Sequence, residues 1–463
     1  MGRIRRVAAL AIAIAALAPA GAQAWMPKPV EFTRAVHQHG ATTTLHTARR
    51  FDLAGASWRG ERDVKVELRV RKADGSWSRW GEAGAGDDGP DAAPSTRRTV
   101  GAPVWTGGVK TIQVRADRPV EHLRLRFVNT TGSATAKQRE RTRALTAKRG
   151  RFGKLTAASP VTNAPAPSIV PRSSWGASRC KPRDTPSYGD VRVAYVHHTV
   201  SVNGYSRSQS ASMVLGICLF HRNGNGWDDM GYNFLVDRYG TVFEGRAGGV
   251  DAPVLGAQAG GFNSESTGVA MIGNYTGSAP PRVAMKSLAR LLAWKLSLHG
   301  VPATGHVKVT SAGGSSTGYA AGQKVRVNRI SGHRDVDQTA CPGAALYSRL
   351  PALRREVKRL EGATSRLSLA PASGQVAYGS GPTVTGSLSV PAGAGPAGAP
   401  IELRALTGTG PERLLTTTTA AEDGSWSAQL PATTAPELVR AVFRGDGGRP
   451  GVVSRPSFFA LRR

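Results

Sequence analysis

The residue types that suggest chemistry in this chain collect in one stretch, Val327 to Cys341, which reads VNRISGHRDVDQTAC. It carries His333 and Cys341, eight residues apart on what reads as a loop following a strand. Far upstream, Tyr195-Val196-His197-His198-Thr199 ends an apolar run. Two imidazoles and a thiolate form a complete protein ligand set for an open zinc site, with water as the fourth ligand. Neutral imidazole and thiolate are the forms that bind metal at neutral pH. A bound Zn2+ would lower the pKa of its water to about 7 and polarise a carbonyl. His197, His333 and Cys341 are therefore the expected ligands. Spacing alone says little, because a histidine and a cysteine eight apart recur in many chains for no chemical reason.

These residues need a scaffold, and the periodicities supply one. Over residues 168–360 both strand and helix periods occur. Val191 to Val196 and Thr267 to Ile272 read as buried strands, and Tyr232 to Glu244 as a hairpin turning at Asp237-Arg238-Tyr239-Gly240. Ser208 to Phe220 has helical spacing. Arg282 to His299 is an amphipathic helix carrying Leu288, Leu291, Leu292 and Leu296. Gly343 to Leu360 reads as another, with Pro342 just before it. The expected fold is an α/β domain, a central mixed sheet with flanking helices.

On both sides the chain reads as all-β. In 25–130, Val64 to Val70 and Leu123 to Val128 alternate strictly, and Asp74-Gly75 is a turn signal ahead of Trp77 and Trp80. In 361–463, Thr383 to Val390, Ile401 to Leu406 and Leu438 to Phe443 are the clearest strands. There Asp423-Gly424-Ser425-Trp426 repeats the turn of 74–77. Two sandwich-like β domains, the second immunoglobulin-like, are expected around the α/β domain. Residues 131–167 are a basic, Ala/Ser/Pro/Thr-rich linker. His37, His39 and His46 have no acidic or thiol partner at metal spacing and read as surface residues.

The chain has 463 residues, room for about three domains at roughly 150 each. Its 61 lysines and arginines face 31 aspartates and glutamates, a net charge of +30, which calls for a polyanionic partner. The N-terminus sets the address. Arg3, Arg5 and Arg6 precede an apolar run from Val7 to Ala18, and Ala22-Gln23-Ala24 is a small-x-small cleavage site. Residues 1–24 thus read as a signal peptide, too short in its apolar part to span a membrane. An exported chain does not meet nucleic acid, and after cleavage no segment remains to hold it in a membrane. Its charge then points to anionic wall polymers. Three cysteines outside the cytoplasm are accounted for by one Cys180–Cys218 disulfide and one metal thiolate, Cys341.

The flanking residues resemble the peptidoglycan recognition proteins and the type 2 zinc N-acetylmuramoyl-L-alanine amidases. Six motifs occur in family order: Val170-Pro171-Arg172-Ser173-Ser174-Trp175-Gly176-Ala177; Tyr195 to Thr199; Gly226-Trp227-Asp228-Asp229-Met230-Gly231-Tyr232-Asn233-Phe234; Gly240 to Arg246; Ser266 to Gly273; and Gly332-His333-Arg334 with Thr339-Ala340-Cys341-Pro342-Gly343. The resemblance implies a secreted, monomeric, peptidoglycan-binding zinc amidase. Its ligands would be His197, His333 and Cys341, with Tyr232 and Thr339 supporting the tetrahedral intermediate. His198 and His221 are given packing roles. Gly226 and Trp227 match a pair that accompanies preference for diaminopimelate-type stems, and Arg246 suits an extra stem carboxylate. Where many relatives have histidine, this chain has Gln258, expected to touch substrate. Three other readings stay open: a recognition protein that binds peptidoglycan without cleaving it, a peptidase using Cys341 as nucleophile and His333 as base, and an adhesion protein acting by charge.

Overall fold

The computed structural model describes residues 29–38, 41–61, 64–83, 91, 98–131, 167–361, 365–371, 373–390, 395–406, 412–445, 449, 451–454 and 456–462. The segment read as a signal peptide, His39 and nearly all of the basic linker lie outside the described residues.

Among the described residues, the N-terminal region holds seven antiparallel strands: β1 (Val30–Ala35), β2 (Thr43–Arg59), β3 (Val66–Val70), β4 (Gly81–Glu82), β5 (Thr99–Val100), β6 (Val104–Ala116) and β7 (Glu121–Asn129). They form one ladder, β1-β7-β2-β6-β3-β4, with β5 on β2, rather than the two separate sheets expected of a sandwich. The cause is β2, 17 residues long, whose register shifts between His46 and Phe51 and between Phe51 and Leu53 let it follow β6 and β7 along their lengths. Alternation behaves as the sequence predicts. Val66, Leu68 and Val70 join the core with Trp58, Ile112 and Phe127, while Glu67 and Arg69 face outward. His37 and His46 are exposed.

In the central region, β8 (Ile169–Val170), β9 (Val193–His198), β10 (Phe234–Val236), β11 (Val242–Glu244), β12 (Ser266–Met271) and β15 (Ile330–Gly332) make a mixed sheet in the order β15-β9-β12-β10-β11-β8. Only β10 and β11 run antiparallel, as the predicted hairpin. Between β12 and β15, strands β13 (His306–Thr310) and β14 (Lys324–Asn328) form a separate hairpin. Helix α1 (Ser210–Leu219) covers one face, packing on Leu235, Ala270 and Ile272. Helix α2 (Arg282–Leu298) covers the other, where Leu288, Leu291, Leu292 and Leu296 are fully buried among Val196, Phe234 and Met271. This is the period-2 division of a sheet buried on both sides. The last predicted helix divides into α3 (Ala344–Tyr347) and α4 (Leu350–Glu361). The divider is Pro351, which lacks an N–H and whose ring excludes helical continuation past the Tyr347 carbonyl.

Beyond residue 365, a three-stranded and a six-stranded sheet share one buried core containing Val384, Leu403, Trp426 and Phe443. That is the packing of a β-sandwich. The repeated turn is repeated in structure too. Asp74 Oδ1 accepts from the Ser76 N–H and hydroxyl at 2.9 and 2.7 Å, and Asp423 Oδ1 does the same with Ser425 at 2.8 and 2.7 Å.

Both β regions are packed on the central one. Leu53, Trp105 and Val128 belong to the same buried cluster as Met213 and Ile217 of α1. Phe220 lies so close over Gly55 that a Cβ there would sit 2.2 Å from its ring. Thr130 Oγ1 donates to the Ser212 carbonyl at 3.1 Å, and Asn223 Nδ2 to Glu31 Oε1 at 2.7 Å. On the far side, Val442 and Val453 share the cluster of α2, and buried Arg440 pairs with Asp251 at 2.6 Å and with Glu412.

Candidate metal centre

His197, the penultimate residue of β9, is held beside Ala270 in parallel register on the face that α1 covers. Strand β15 pairs with β9, so the turn that follows it, His333–Asp335, brings the second histidine alongside. The two imidazole centroids are 4.5 Å apart. Cys341 returns eight residues later. Its N–H donates to Thr339 Oγ1 at 3.0 Å, and its Sγ lies 3.7 Å from His197 Nδ1. The His198 N–H donates to that sulfur at 3.4 Å, which favours a thiolate. Ligand atoms of His197, His333 and Cys341 all lie within 4.8 Å of one another.

The outer nitrogens decide which atoms face inward. His333 Nε2 donates to Asp337 Oδ2 at 2.7 Å, leaving Nδ1 with its lone pair. His197 Nε2 donates to Gln258 Oε1 at 2.5 Å, again leaving Nδ1. Burial holds both imidazoles neutral: the His197 pKa falls well below 6.5, helped by the facing His333, and that of His333 falls to about 3. Two neutral imidazoles with fixed tautomers and a half-buried thiol fit a zinc ion chemically.

A cleft of about 500 Å³ opens beside these residues. Tyr232 and Thr339 line it, as do His198, His221 and Trp227. The Tyr232 ring is 5.3 Å from His197 and from His221. His221 and His198 spend a nitrogen on structure, accepting the Gly231 N–H at 3.0 Å and the Tyr275 N–H at 3.1 Å. Gly226, at φ +80°, makes the exposed turn before Trp227.

Two residues expected to contact substrate have partners within the protein. Arg246 is not among the cleft-lining residues, and its Nη1 donates to the Met230 carbonyl at 3.0 Å. Gln258 is 0% exposed, behind His197, with its Nε2 donating to Ser266 Oγ at 2.9 Å. Asp337, four residues after His333, is a site residue that no expectation from the sequence included. Away from the cleft, Cys180 and Cys218 form a disulfide beside the buried Arg172–Asp229 pair.

Residues 187–344 match the family described as N-acetylmuramoyl-L-alanine amidase. Peptidoglycan recognition protein 1 of Bos taurus is 32% identical over 183 residues, 39% of this chain and 80% of that protein. The chain belongs to the peptidoglycan recognition protein family. The N-acetylmuramoyl-L-alanine amidase of Mus musculus is also 32% identical, over 186 residues, and the match spans 40% of this chain but 30% of that longer protein. A solved Drosophila structure, PGRP-LB wild-type, aligns with TM-score 0.32 and 25% identity over 40% of this chain and 93% of its own. Outside the family region, residues 16–148 match a second description, Rv3811 N-terminal galactose-binding domain-like.

Proposed function

We propose that this member of the family is an enzyme that hydrolyses the amide between N-acetylmuramic acid and the L-alanine of peptidoglycan stems. The observation that carries the reading is the convergence of His197, His333 and Cys341 within 4.8 Å, with the far nitrogen of each imidazole already engaged. Zinc held there would supply an acidified water and Lewis acidity toward the scissile carbonyl. The chain's own residues do the rest. Tyr232 and Thr339 face the cleft with hydroxyl donors for the developing oxyanion. Thr339 Oγ1 already accepts the Cys341 N–H, which fixes the hydroxyl and leaves its proton to donate. Trp227 and the neutral His221 wall the site and limit water around it.

The Cys180–Cys218 disulfide supports an oxidising compartment, consistent with an exported enzyme acting on the wall. Among the described residues no helix is long and apolar enough to cross a membrane.

The test is release of stem peptides from purified peptidoglycan, read by mass spectrometry. Free peptides beginning at L-alanine should appear, vanish with chelator, return with zinc and be absent for Cys341→Ser. Tight wall binding without release would make the chain a non-catalytic recognition protein. Release that ignores chelator but stops on thiol alkylation would favour a cysteine nucleophile.

A further inference from the structure

The cleft has two walls, and the second does not come from the family region. Val64, Lys65, Glu82, Pro103 and Asp117 of the N-terminal region line it together with Tyr232, Thr339 and Cys341. This wall is fixed, because Leu53, Trp105 and Val128 are buried against α1 and Phe220 is seated over Gly55.

The wall continues beyond the cleft. Register places Glu67 beside both Arg115 and Glu82, and Arg69 beside Gln113. The outward row therefore runs from Lys65, just before β3 and at the cleft, through Glu67 and Arg69 to Arg71. Its side chains are held in place. Arg115 pairs with Glu67 at 2.7 Å, and Arg69 Nε donates to Gln113 Oε1 at 2.7 Å. The Arg69 guanidinium stacks 5.1 Å from Trp77 and 4.5 Å from Trp80, and that of Arg115 lies 4.3 Å from Trp80.

The charge on this strip is informative. Lys65, Arg69, Arg71 and Arg115 stand against Glu67, Glu82 and Asp117, an excess of one basic residue in a chain whose net charge is +30. A surface for a polyanion would show the excess that the rest of the chain carries. Nearly balanced, pre-oriented donors and acceptors beside half-buried indoles suit a neutral ligand rich in hydroxyl and acetamide groups, whose ring C–H faces pack on aromatics.

We propose that the outer face of β3, β4 and β6 is a glycan subsite that holds the N-acetylated sugar strand as its stem enters the cleft. The proposal rests on the amidase reading for the identity of the strand. The scissile amide joins sugar to peptide, so the two lead away from the site in different directions, and the N-terminal wall meets the sugar. The chain would then act on long strands in preference to isolated muramoyl peptides.

The test uses the full chain and glycan strands stripped of stem peptides, with binding measured by co-sedimentation. Arg69→Ala and Arg115→Ala remove outward-facing side chains and should weaken this binding about ten-fold. On intact strands the same variants should raise KM by a similar factor with kcat unchanged. Hydrolysis of a single-sugar muramoyl peptide should not change. Wild-type affinity for stripped glycan in both variants overturns the subsite even if hydrolysis proceeds. So does an equal loss of binding to polyphosphate, which would make the strip an electrostatic surface. If no amide is cleaved but stripped-glycan binding still falls in the variants, the amidase reading fails and the subsite stands.

Discussion

Gln258 Oε1 lies 2.5 Å from His197 Nε2, with both side chains fully buried. The amide cannot turn over freely, because its Nε2 donates to Ser266 Oγ and the Gln258 N–H donates to Asn263 Oδ1. A neutral acceptor is thus fixed on the outer nitrogen of one proposed ligand, while the carboxylate of Asp337 is fixed on the outer nitrogen of the other. Such partners orient a ligating histidine and raise its basicity. Gln258→Leu should therefore lower zinc affinity by about 10–100-fold, and Asp337→Ala by at least as much. Competition with a chelator measures both. Gln258→Glu, which keeps the acceptor oxygen, should recover most of the affinity. Unchanged affinity in Gln258→Leu would leave Gln258 as packing only.

Tyr232 and Thr339 should separate chemistry from metal binding. Neither side chain is in the proposed ligand set, and both line the cleft. Removing one donor to a developing oxyanion lowers kcat by about 100–1000-fold. Tyr232→Phe should show a loss of that order with zinc content and KM retained. Thr339→Val should lose less, since its hydroxyl also supports the Cys341 N–H. Metal analysis beside steady-state kinetics checks this, and zinc loss in Tyr232→Phe would assign the phenol to the metal centre instead.

The parts of the fold that were legible in the sequence are those set by local pattern. The run ending at His197, the helix at Arg282 and the hairpin turning near Tyr239 each follow from side-chain periodicity or turn chemistry. What local pattern does not announce depends on contacts far apart in the chain. Gln258 meets His197 across 61 residues, and nothing near Gln258 announces that partner. The same holds for Lys65 and Asp117, which reach the cleft because the N-terminal sheet docks on α1. Asp337 is a different kind of miss, since its i+4 spacing from His333 was visible. Pro351 likewise announced the break between α3 and α4.

The disulfide should matter for stability more than for chemistry. Cys180 and Cys218 are 38 residues apart, fully buried, and outside the cleft lining. Closing a loop of that length adds roughly 3–4 kcal/mol by restricting the unfolded chain. The double substitution Cys180→Ala with Cys218→Ala should lower the unfolding free energy measured by urea denaturation by that amount. Specific activity per folded molecule at low temperature should stay near wild type. A reduced activity in the folded fraction would show that the bridge positions Tyr232 through α1.

A buried lysine on α2 predicts an unusual pH dependence of stability. Lys295 is 1% exposed, and its Nζ donates to the Val250 and Ala252 carbonyls at 2.9 and 2.7 Å. Burial pulls its pKa from 10.5 down to about 7; Asp251 opposes the shift and Arg440 adds to it. Below pH 7 the lysine is protonated in both folded and unfolded chains, and the folded state bears the full burden of a buried charge. Between pH 7 and 10.5 only the unfolded chain holds the proton, so this group makes stability rise with pH, by at most about 1.4 kcal/mol per unit. Above 10.5 both states are neutral and the dependence ends. Lys295→Met should remove this slope, so its stability relative to wild type is greatest near pH 6 and falls by pH 9. Urea unfolding of the two proteins across that range measures the difference directly. Parallel curves would mean that Lys295 keeps its proton in the folded state, held by the two carbonyls and Asp251.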